Sequence, residues 1–251
     1  MSTVNLSAQG IHEGNLILVN RNYPYFETEE KERLIPVTEG TKIVMRRAAA
    51  ALLSGLMADM HGWDAIVPVS GWRSRREQQE IWDASLAESG KDFTEKYVAA
   101  PGHSEHQTGL AIDLGKRQAD IDFICPDFPY TGICQTFREK AASYGFVERY
   151  PAGKENVTGI GHEPWHFRYV GVPHALIMTE CGMVLEEYTE FVKQYIYGRN
   201  PYRYRTNETV IEISYLKAET GHTVEWNEDC PRTVSGNNVD GYVITEWRGG
   251  A

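Results

Sequence analysis

The sequence lacks long hydrophobic runs and a basic N-terminal segment. The first twenty residues, MSTVNLSAQGIHEGNLILVN, contain one short apolar run, LILV at 16–19. A signal peptide needs an apolar stretch of about 7–15 residues behind a basic segment, and a transmembrane helix needs about 20. We therefore expect neither an export signal nor a membrane anchor.

Cysteine is scarce. The four cysteines, Cys125, Cys134, Cys181 and Cys230, show no C-x-x-C spacing and no dense framework. This excludes the patterns typical of disulfide-rich secreted domains and of structural zinc ribbons. We expect reduced thiols in a cytoplasmic protein, with a bond between Cys125 and Cys134 as the alternative.

Positive charge is in deficit, with 25 Lys and Arg against 35 Asp and Glu and a net charge of −10. A surface of this sign argues against nucleic acid or an anionic membrane as partner. The 251 residues suffice for one sizeable core, with or without a small appendage. No internal repeat is present, and the sequence does not predict an oligomeric state.

Two segments carry residues suited to a metal-dependent hydrolase. The stretch SEHQTGLAID at 104–113 contains His106 and Asp113, and EPWHFRYVG at 163–171 contains Glu163 and His166. Two histidines and a carboxylate are the ligand types of catalytic zinc, which keeps one coordination position open for water. The second carboxylate would serve as the base.

Strand alternation favours this interpretation. In GLAIDLG, Asp113 shares a face with small residues while leucine and isoleucine take the opposite face. In WHFRYV, His166 likewise leaves the face formed by Trp165, Phe167 and Tyr169. Glu163 lies three positions before His166, so a straight strand would separate them. Pro164 interrupts regular pairing and gives Glu163 a way back toward the site.

Each of these residues also has a simpler interpretation when taken alone. His106 would be a solvent-exposed side chain in a polar loop beside Glu105 and Gln107, and Asp113 would cap a turn. His166 would be a core histidine bonded to a backbone carbonyl, and Glu163 a surface acid.

Together the motifs resemble a known family. Ser104, His106, Gly109, Ala111 and Asp113 match S-x-H-x-x-G-x-A-x-D, and 163–166 matches E-x-x-H. With SGWRS at 70–74 and YVAAPGHSEHQ at 97–107, residues 15–197 resemble the zinc D,D-peptidases of vancomycin resistance, of the bifunctional D,D-dipeptidase and D,D-carboxypeptidase type, within the hedgehog and D-Ala-D-Ala metallopeptidase superfamily.

The resemblance implies a role for each motif residue. His106, Asp113 and His166 would bind one Zn²⁺ per chain, and Glu163 would act as general base and then general acid. Arg73, in the SG-x-R element, would stabilise the developing oxyanion.

Such an enzyme must also hold the free carboxylate of its substrate, for which Ser104 and Gln79 are our candidates. Ser104 lies two residues before a ligand, and Gln79 lies on a helix that begins with a capping box formed by Ser74 and Glu77. The alternatives are a turn residue for Ser104 and a solvated face for Gln79. The family resemblance assigns the loop at 91–103 to the choice between dipeptide and longer peptide.

The periodicities predict an α+β fold in which helices pack on a small antiparallel sheet that holds the zinc site. The predicted strands are 16–20, 65–70, 109–115, 146–150 and 165–170, and the predicted helices are 41–61, 74–89, 133–144 and 183–197. We predict a catalytic domain at 1–198 and a C-terminal β extension at 199–251, in which the runs 210–218, 222–227 and 242–247 form a small antiparallel meander.

The predicted function is zinc-dependent hydrolysis of D-Ala-D-Ala and removal of C-terminal D-Ala from peptidoglycan precursors in the cytoplasm, which confers vancomycin resistance. The partners would be small peptides that end in D-Ala. Two alternatives remain: a non-catalytic binding module that keeps the zinc fold, and an L,D- or endopeptidase of the same superfamily.

Overall fold

The computed structural model describes residues 2–27, 34–206, 209–219, 223–226 and 229–249. Within them the strands are, in chain order, β1 Ser2–Asn5, β2 Leu34–Pro36, β3 Val44–Arg46, β4 Ile66–Ser70, β5 Ala111–Lys116, β6 Phe146–Tyr150, β7 Glu163–Tyr169, β8 Tyr202–Arg205, β9 Thr209–Lys217, β10 Thr223–Trp226, β11 Arg232–Gly236 and β12 Gly241–Gly249. The α-helices are α1 Arg47–Asp59, α2 Arg75–Tyr97, α3 Gly132–Ala141, α4 Glu155–Thr158, α5 His174–Glu180 and α6 Leu185–Val192. This mixture of helices and antiparallel sheets confirms the predicted α+β class.

The chain forms two compact units. The larger unit is Val19–Val184, and the smaller unit combines Met1–Leu18 with Leu185–Ala251. The division of the chain therefore differs from the predicted one, because residues 185–198 and the first eighteen residues belong to the unit that contains the C-terminal strands. Within the described residues, no helix combines the length and apolar character needed to cross a membrane. All four cysteines are free.

A four-stranded antiparallel sheet of order β4-β5-β7-β6 organises the larger unit. The alternating apolar residues predicted to face inward do so, since Leu110, Ile112 and Phe167 belong to one core cluster. Helices α1 and α3 add Leu53 and Phe137 to the same cluster. Burial of one face of the sheet against these helices leaves the opposite face of β5 and β7 for polar side chains.

The first predicted helix, 41–61, begins later than expected. Residues 44–46 pair with β2 instead, and the Arg46 amide donates to the Gly109 carbonyl at 2.8 Å. The predicted strand at 16–20 is wrong, because this buried segment has no strand structure beyond an isolated bridge at Asn20. Tertiary contacts override local preference at both places.

Helix α2 confirms the predicted capping box: the Glu77 amide donates to the Ser74 hydroxyl, and the Ser74 amide donates to the Glu77 carboxylate. It does not end at Gly90, where the prediction placed its last turn. Gly90 adopts φ +79° and kinks the helix, which then continues to Tyr97. Buried Thr94 holds the second half, since its hydroxyl lies 2.7 Å from that of Ser85. The predicted loop at 91–103 is therefore helical over its first seven residues.

In the smaller unit, β11, β12, β9 and β8 form an antiparallel sheet in that order. The runs at 210–218 and 242–247 are strands as predicted, and they pair directly. The third run is not part of a meander, because β10 pairs with β1 from the N-terminus; its end residues 222 and 227 lie outside the described part. A further strand, β11, lies between the runs 222–227 and 242–247, where no strand was predicted. The predicted helix at 183–197 corresponds to α6, which is shorter. Helix α5 was not predicted.

Candidate metal centre

Three predicted ligands come from three neighbouring elements of the larger unit. His106 lies in a 3-10 helix, Glu105–Thr108, just before β5, which carries Asp113, and β7 carries His166. Strands β5 and β7 pair in a register that sets Asp113 directly opposite His166. Directly opposed residues project from the same face of a sheet, so this register brings the two side chains together.

The ligand atoms converge at short distances. Asp113 Oδ2 lies 3.0 Å from His106 Nε2, and Asp113 Oδ1 lies 2.9 Å from His166 Nδ1. One potential ligand atom from each residue lies within 4.8 Å of the other two, a spacing that can hold a metal ion. The side chains are buried, with 3% of His106, 6% of Asp113 and 3% of His166 exposed. The simpler interpretations of these residues as exposed, capping or isolated core side chains do not fit this arrangement.

A backbone carbonyl orients His106. Its Nδ1 lies 2.7 Å from the Gly71 carbonyl oxygen; because a carbonyl only accepts, Nδ1 carries the proton and Nε2 keeps its lone pair. Glycine is required at 71, since a Cβ there would lie 2.4 Å from the Val44 oxygen. Gly109, which follows the 3-10 helix, has φ +71°, a conformation that glycine adopts readily. Backbone geometry thus explains Gly71 of the SGWRS motif and Gly109 of the S-x-H-x-x-G motif.

Glu163 joins the ligands on the same side of the sheet. The pairing of β6 with β7 shifts register between the pairs Glu148–Phe167 and Tyr150–Glu163, across the segment that contains Pro164. Glu163 Oε2 consequently lies 3.7 Å from His166 Nδ1, and the carboxylate lines the same cavity as the ligands. The predicted interruption at Pro164 is confirmed.

Burial dominates the electrostatics of the site. Burial, reinforced by the neighbouring Asp113, raises the pKa of Glu163 to about 8. Burial also lowers the pKa of His106 to about 4, with Arg73 acting in the same direction. Burial alone would lower the pKa of His166, but hydrogen bonds to Asp113 and Glu105 outweigh it and raise this pKa to about 9. A cation bound among these groups would displace a proton from His166.

Arg73 stands at the junction between β4 and α2. Its amide donates to the His106 carbonyl at 3.2 Å, which ties its position to that of a ligand. The guanidinium lines the cavity, and its charge interacts with Asp113 and Glu163. Its Nε is buried and has no hydrogen-bond partner among the described residues. An unpaired buried donor is costly, so this group is placed to bind something that the protein itself does not provide.

The two predicted substrate contacts have different outcomes. Ser104 is buried, lines the cavity and does not cap the helix that follows. Gln79 is exposed, bonds to Asp83 and does not line the cavity. Gln78 lines the cavity instead and is 1% exposed. It donates through Nε2 to the Ala99 carbonyl at 2.7 Å, and its Oε1 has no partner in the described residues. Successive helical residues point about 100° apart, so of the two adjacent glutamines Gln78 faces the cavity and the predicted Gln79 does not.

The simpler interpretation, which put Glu105 and His106 in an exposed polar loop, does not fit the structure, and Glu105 is a further residue beside the candidate ligands. Glu105 is 1% exposed, and its carboxylate bonds to two arginines, Arg149 and Arg168, while also facing His166. A charged residue of this kind is almost never fully buried unless it is paired. The sequence signal was an arginine followed by a tyrosine in each of two strands, at Arg149 and at Arg168.

The cavity has a volume of about 40 Å³. This exceeds the ~10–15 Å³ that a single water requires, so a water fits beside the ligands and Glu163. Tyr150 and Trp165 contribute aromatic walls, and the Tyr150 ring centre lies 4.9 Å from that of His166.

Comparison with known proteins gives consistent matches. The family model VanY, D-alanyl-D-alanine carboxypeptidase, matches residues 42–172. The bifunctional D-Ala-D-Ala dipeptidase and D-Ala-D-Ala carboxypeptidase VanXYC of Enterococcus gallinarum is 39% identical over 181 residues, which cover 71% of this chain and 95% of that protein.

Two solved structures are also similar. The vancomycin resistance D,D-dipeptidase VanXYg, in complex with a D-Ala-D-Ala phosphinate analogue, has 50% identity and a TM-score of 0.95, covering 98% of this chain and 99% of that one. A vancomycin resistance D,D-pentapeptidase VanY mutant in complex with Zn(II), from a VanB-type cassette, has 30% identity and a TM-score of 0.56, covering 70% of this chain and 98% of that one.

Proposed function

This chain belongs to the VanY family of D-alanyl-D-alanine carboxypeptidases, and on that premise we propose that it is a zinc-dependent D,D-peptidase that hydrolyses D-Ala-D-Ala and removes terminal D-Ala from longer peptides. The family and the peptidase class predicted from the motifs are confirmed. The activity fits glycopeptide resistance, because it would remove the D-Ala-D-Ala terminus. The proposal includes both the dipeptidase and the carboxypeptidase activity.

The observation that carries the proposal is the convergence of His106, Asp113, His166 and Glu163 on one buried cavity. The residues fit zinc in donor type, since two imidazole nitrogens and one carboxylate form a catalytic ligand set that leaves a position open. They also fit in orientation, because the proton on His106 Nδ1 leaves Nε2 as the donor atom. We propose one Zn²⁺ per chain at this place.

Zinc bound there would act as a Lewis acid and lower the pKa of a bound water to about 7. Glu163 would accept the proton of the attacking water and donate it to the leaving amine. Its position supports this role, since it faces the ligand set from outside the triad, 3.7 Å from His166. Burial raises its pKa to about 8, which suits a group that must both take and return a proton near neutral pH.

Arg73 would bind the substrate carbonyl oxygen as negative charge develops on it. Its buried Nε without a partner, among the described residues, supports this assignment. Ser104 would donate its hydroxyl to the C-terminal carboxylate of the substrate, and Gln78, rather than Gln79, would accept a hydrogen bond from a substrate N–H through its Oε1. Arg73, Ser104 and Gln78 would together hold the peptide in one orientation, which lowers the entropic part of the barrier.

A non-catalytic binding module would need the ligands but neither the base nor the arginine. The presence of Glu163 and Arg73 beside the triad therefore supports catalysis. An L,D- or endopeptidase would use the same metal residues, so the substrate panel must separate it from a D,D-peptidase.

The test measures D-Ala release from D-Ala-D-Ala, D-Ala-D-Ser, a pentapeptide ending in D-Ala-D-Ala and a tetrapeptide ending in L,D linkage, with zinc and with a chelator. We expect chelator-sensitive release from D-Ala-D-Ala and from the pentapeptide. Release from the tetrapeptide alone would identify an L,D-peptidase, and release from none of the four would contradict the proposal.

We also propose that the protein acts in the cytoplasm, on precursors before their export. The four free thiols support this location, because reducing compartments preserve them. Cell fractionation with an antibody to the native protein tests it, and recovery outside the cytoplasmic fraction would contradict it.

A further inference from the structure

The imidazole of His166 lies between two carboxylates. Its Nδ1 is 2.9 Å from Asp113 Oδ1, and its Nε2 is 3.4 Å from Glu105 Oε2. Asp113 belongs to the proposed ligand set, whereas Glu105 does not. Glu105 contacts the other nitrogen of the ring, Nε2, which faces away from Asp113.

Glu105 is held rigidly. Arg149 Nε and Arg168 Nη1 both donate to its Oε1 at 2.8 Å, and all three side chains are completely buried. The arginines lie on β6 and β7, two adjacent strands of the central sheet. Both of these bonds are to Oε1, and the other carboxylate oxygen, Oε2, faces the ring of His166.

The two histidines of the triad are thus oriented by different kinds of acceptor. His106 donates from Nδ1 to the neutral Gly71 carbonyl, so its Nε2 faces Asp113. His166 is arranged the other way round, with Nδ1 toward Asp113 and Nε2 toward a carboxylate. A carboxylate behind a ligating imidazole fixes its tautomer and increases its basicity toward the metal.

We propose that Glu105 is a positioning residue of the metal centre, which accepts the Nε2 proton of His166 and so keeps the Nδ1 lone pair directed at the ion. Arg149 and Arg168 fix Glu105 in turn. This inference rests on the proposed zinc site. It gives Glu105, the residue between serine and histidine in the S-x-H element, a function in metal affinity.

The test compares Glu105→Gln with Glu246→Gln. Glu246 is a matched control on β12, since it is also buried and bonds to two arginines, Arg232 and Arg248, yet has no part in the proposed centre. Zinc affinity is measured by competition with a chelator of known affinity. The visible spectrum of the Co²⁺-loaded protein is recorded at full occupancy.

We expect Glu105→Gln to bind zinc about 10- to 100-fold more weakly than the unaltered protein. Its Co²⁺ spectrum should also change, whereas Glu246→Gln should match the unaltered protein in both measurements. Unchanged zinc affinity in Glu105→Gln would overturn the inference. Failure of the unaltered protein to bind zinc would instead overturn the proposed metal site, so the two failures are distinguishable.

A second variant covers the case in which Glu105→Gln does not fold because two buried arginines lose their counter-charge. Glu105→Gln combined with Arg149→Gln restores the local charge balance. The double variant should show the same 10- to 100-fold loss, and an affinity equal to that of the unaltered protein would overturn the inference.

Discussion

Replacement of Arg73 by methionine is the sharpest test of the proposed transition-state contact. The arginine is half-buried beside the ligand triad, with its Nε fully buried, and it interacts with the charges of Asp113 and Glu163. Its Nε has no partner among the described residues, so nothing in that part of the protein competes with a substrate oxygen for this donor. The substitution preserves much of the side-chain length while removing the charge and every N–H.

The expected loss follows from the number of donors removed. Loss of one preorganised oxyanion donor costs about 2.7–4 kcal/mol, so Arg73→Met should lose about 10²–10³ in kcat. Arg73→Lys keeps the charge but loses the planar fork. One hydrogen bond to a charged group contributes about 1.5–3 kcal/mol, so the lysine variant should lose about 10- to 150-fold in kcat.

The assay is steady-state D-Ala release from D-Ala-D-Ala at saturating zinc, with kcat and KM determined separately. Zinc content and thermal unfolding establish that each variant is loaded and folded. Arg76→Met is the matched control, because Arg76 lies exposed on α2 and pairs only loosely with Glu80, 3.9 Å away. An Arg73→Met variant with unchanged kcat and a higher KM would refute the argument, since Arg73 would then bind the ground state and the transition state equally.

Three further predictions concern Glu163, Gln78 and His174. Glu163→Gln should retain zinc, measured after dialysis, but lose about 10²–10⁴ in kcat; undiminished turnover would exclude Glu163 as the base. Gln78→Leu should raise the KM for D-Ala-D-Ala while Gln79→Leu leaves it unchanged, and equal effects would show that the cavity-facing position of Gln78 is irrelevant. Burial lowers the pKa of His174 in the folded protein to about 3, whereas its pKa in the unfolded chain is about 6.5. Below pH 6.5 the unfolded chain therefore binds more protons than the folded protein, and the free energy of unfolding decreases as the pH falls. Urea unfolding should show a decrease from this group of about 2 kcal/mol between pH 7.5 and pH 5, which His174→Gln should remove; an identical pH dependence in the variant would contradict it.

The placement of Asp113 and His166 on one face could be predicted from the sequence because each of the two strands buries its other face. Alternation along β5 and β7 sends leucine, isoleucine and aromatic side chains into the core, which leaves Asp113 and His166 on the other face. The interruption at Pro164 was also visible, since proline restricts both itself and the residue before it. These inferences need only local geometry, and the structure confirms them.

The residue of α2 that faces the cavity was harder to predict, because tertiary packing decides which side of a helix turns inward. The start of α2 was recognisable from Ser74 and Glu77, but the sequence alone does not distinguish Gln78 from Gln79. Contact with the Ala99 carbonyl turns Gln78 inward. The capping box defines where the helix begins, and tertiary contacts define which residue faces the cavity.

Pairing between distant segments accounts for the other differences. Strand β10 pairs with β1, more than two hundred residues earlier in the chain, and no local pattern predicts such a partner. Glu105 was missed for the same reason, since Arg149 and Arg168 lie 44 and 63 residues away from it. The sequence around Glu105 is polar and typical of an exposed loop, and only the assembled sheet brings in the two cations that permit its burial.

Glu105 and Glu163 illustrate how neighbours separate the roles of two identical side chains beside one imidazole. Burial alone would raise the pKa of Glu105, but Arg149 and Arg168 outweigh it and hold this pKa far below its usual range. Glu163 is equally buried, and burial raises its pKa to about 8, although His166 acts in the opposite direction. A carboxylate that stays ionised is suited to hold a ligand in place, whereas one that titrates near neutral pH is suited to carry a proton. Because two arginines make the difference, the position of the cations decides which glutamate is suited to hold a ligand in place and which is suited to the proposed role of base.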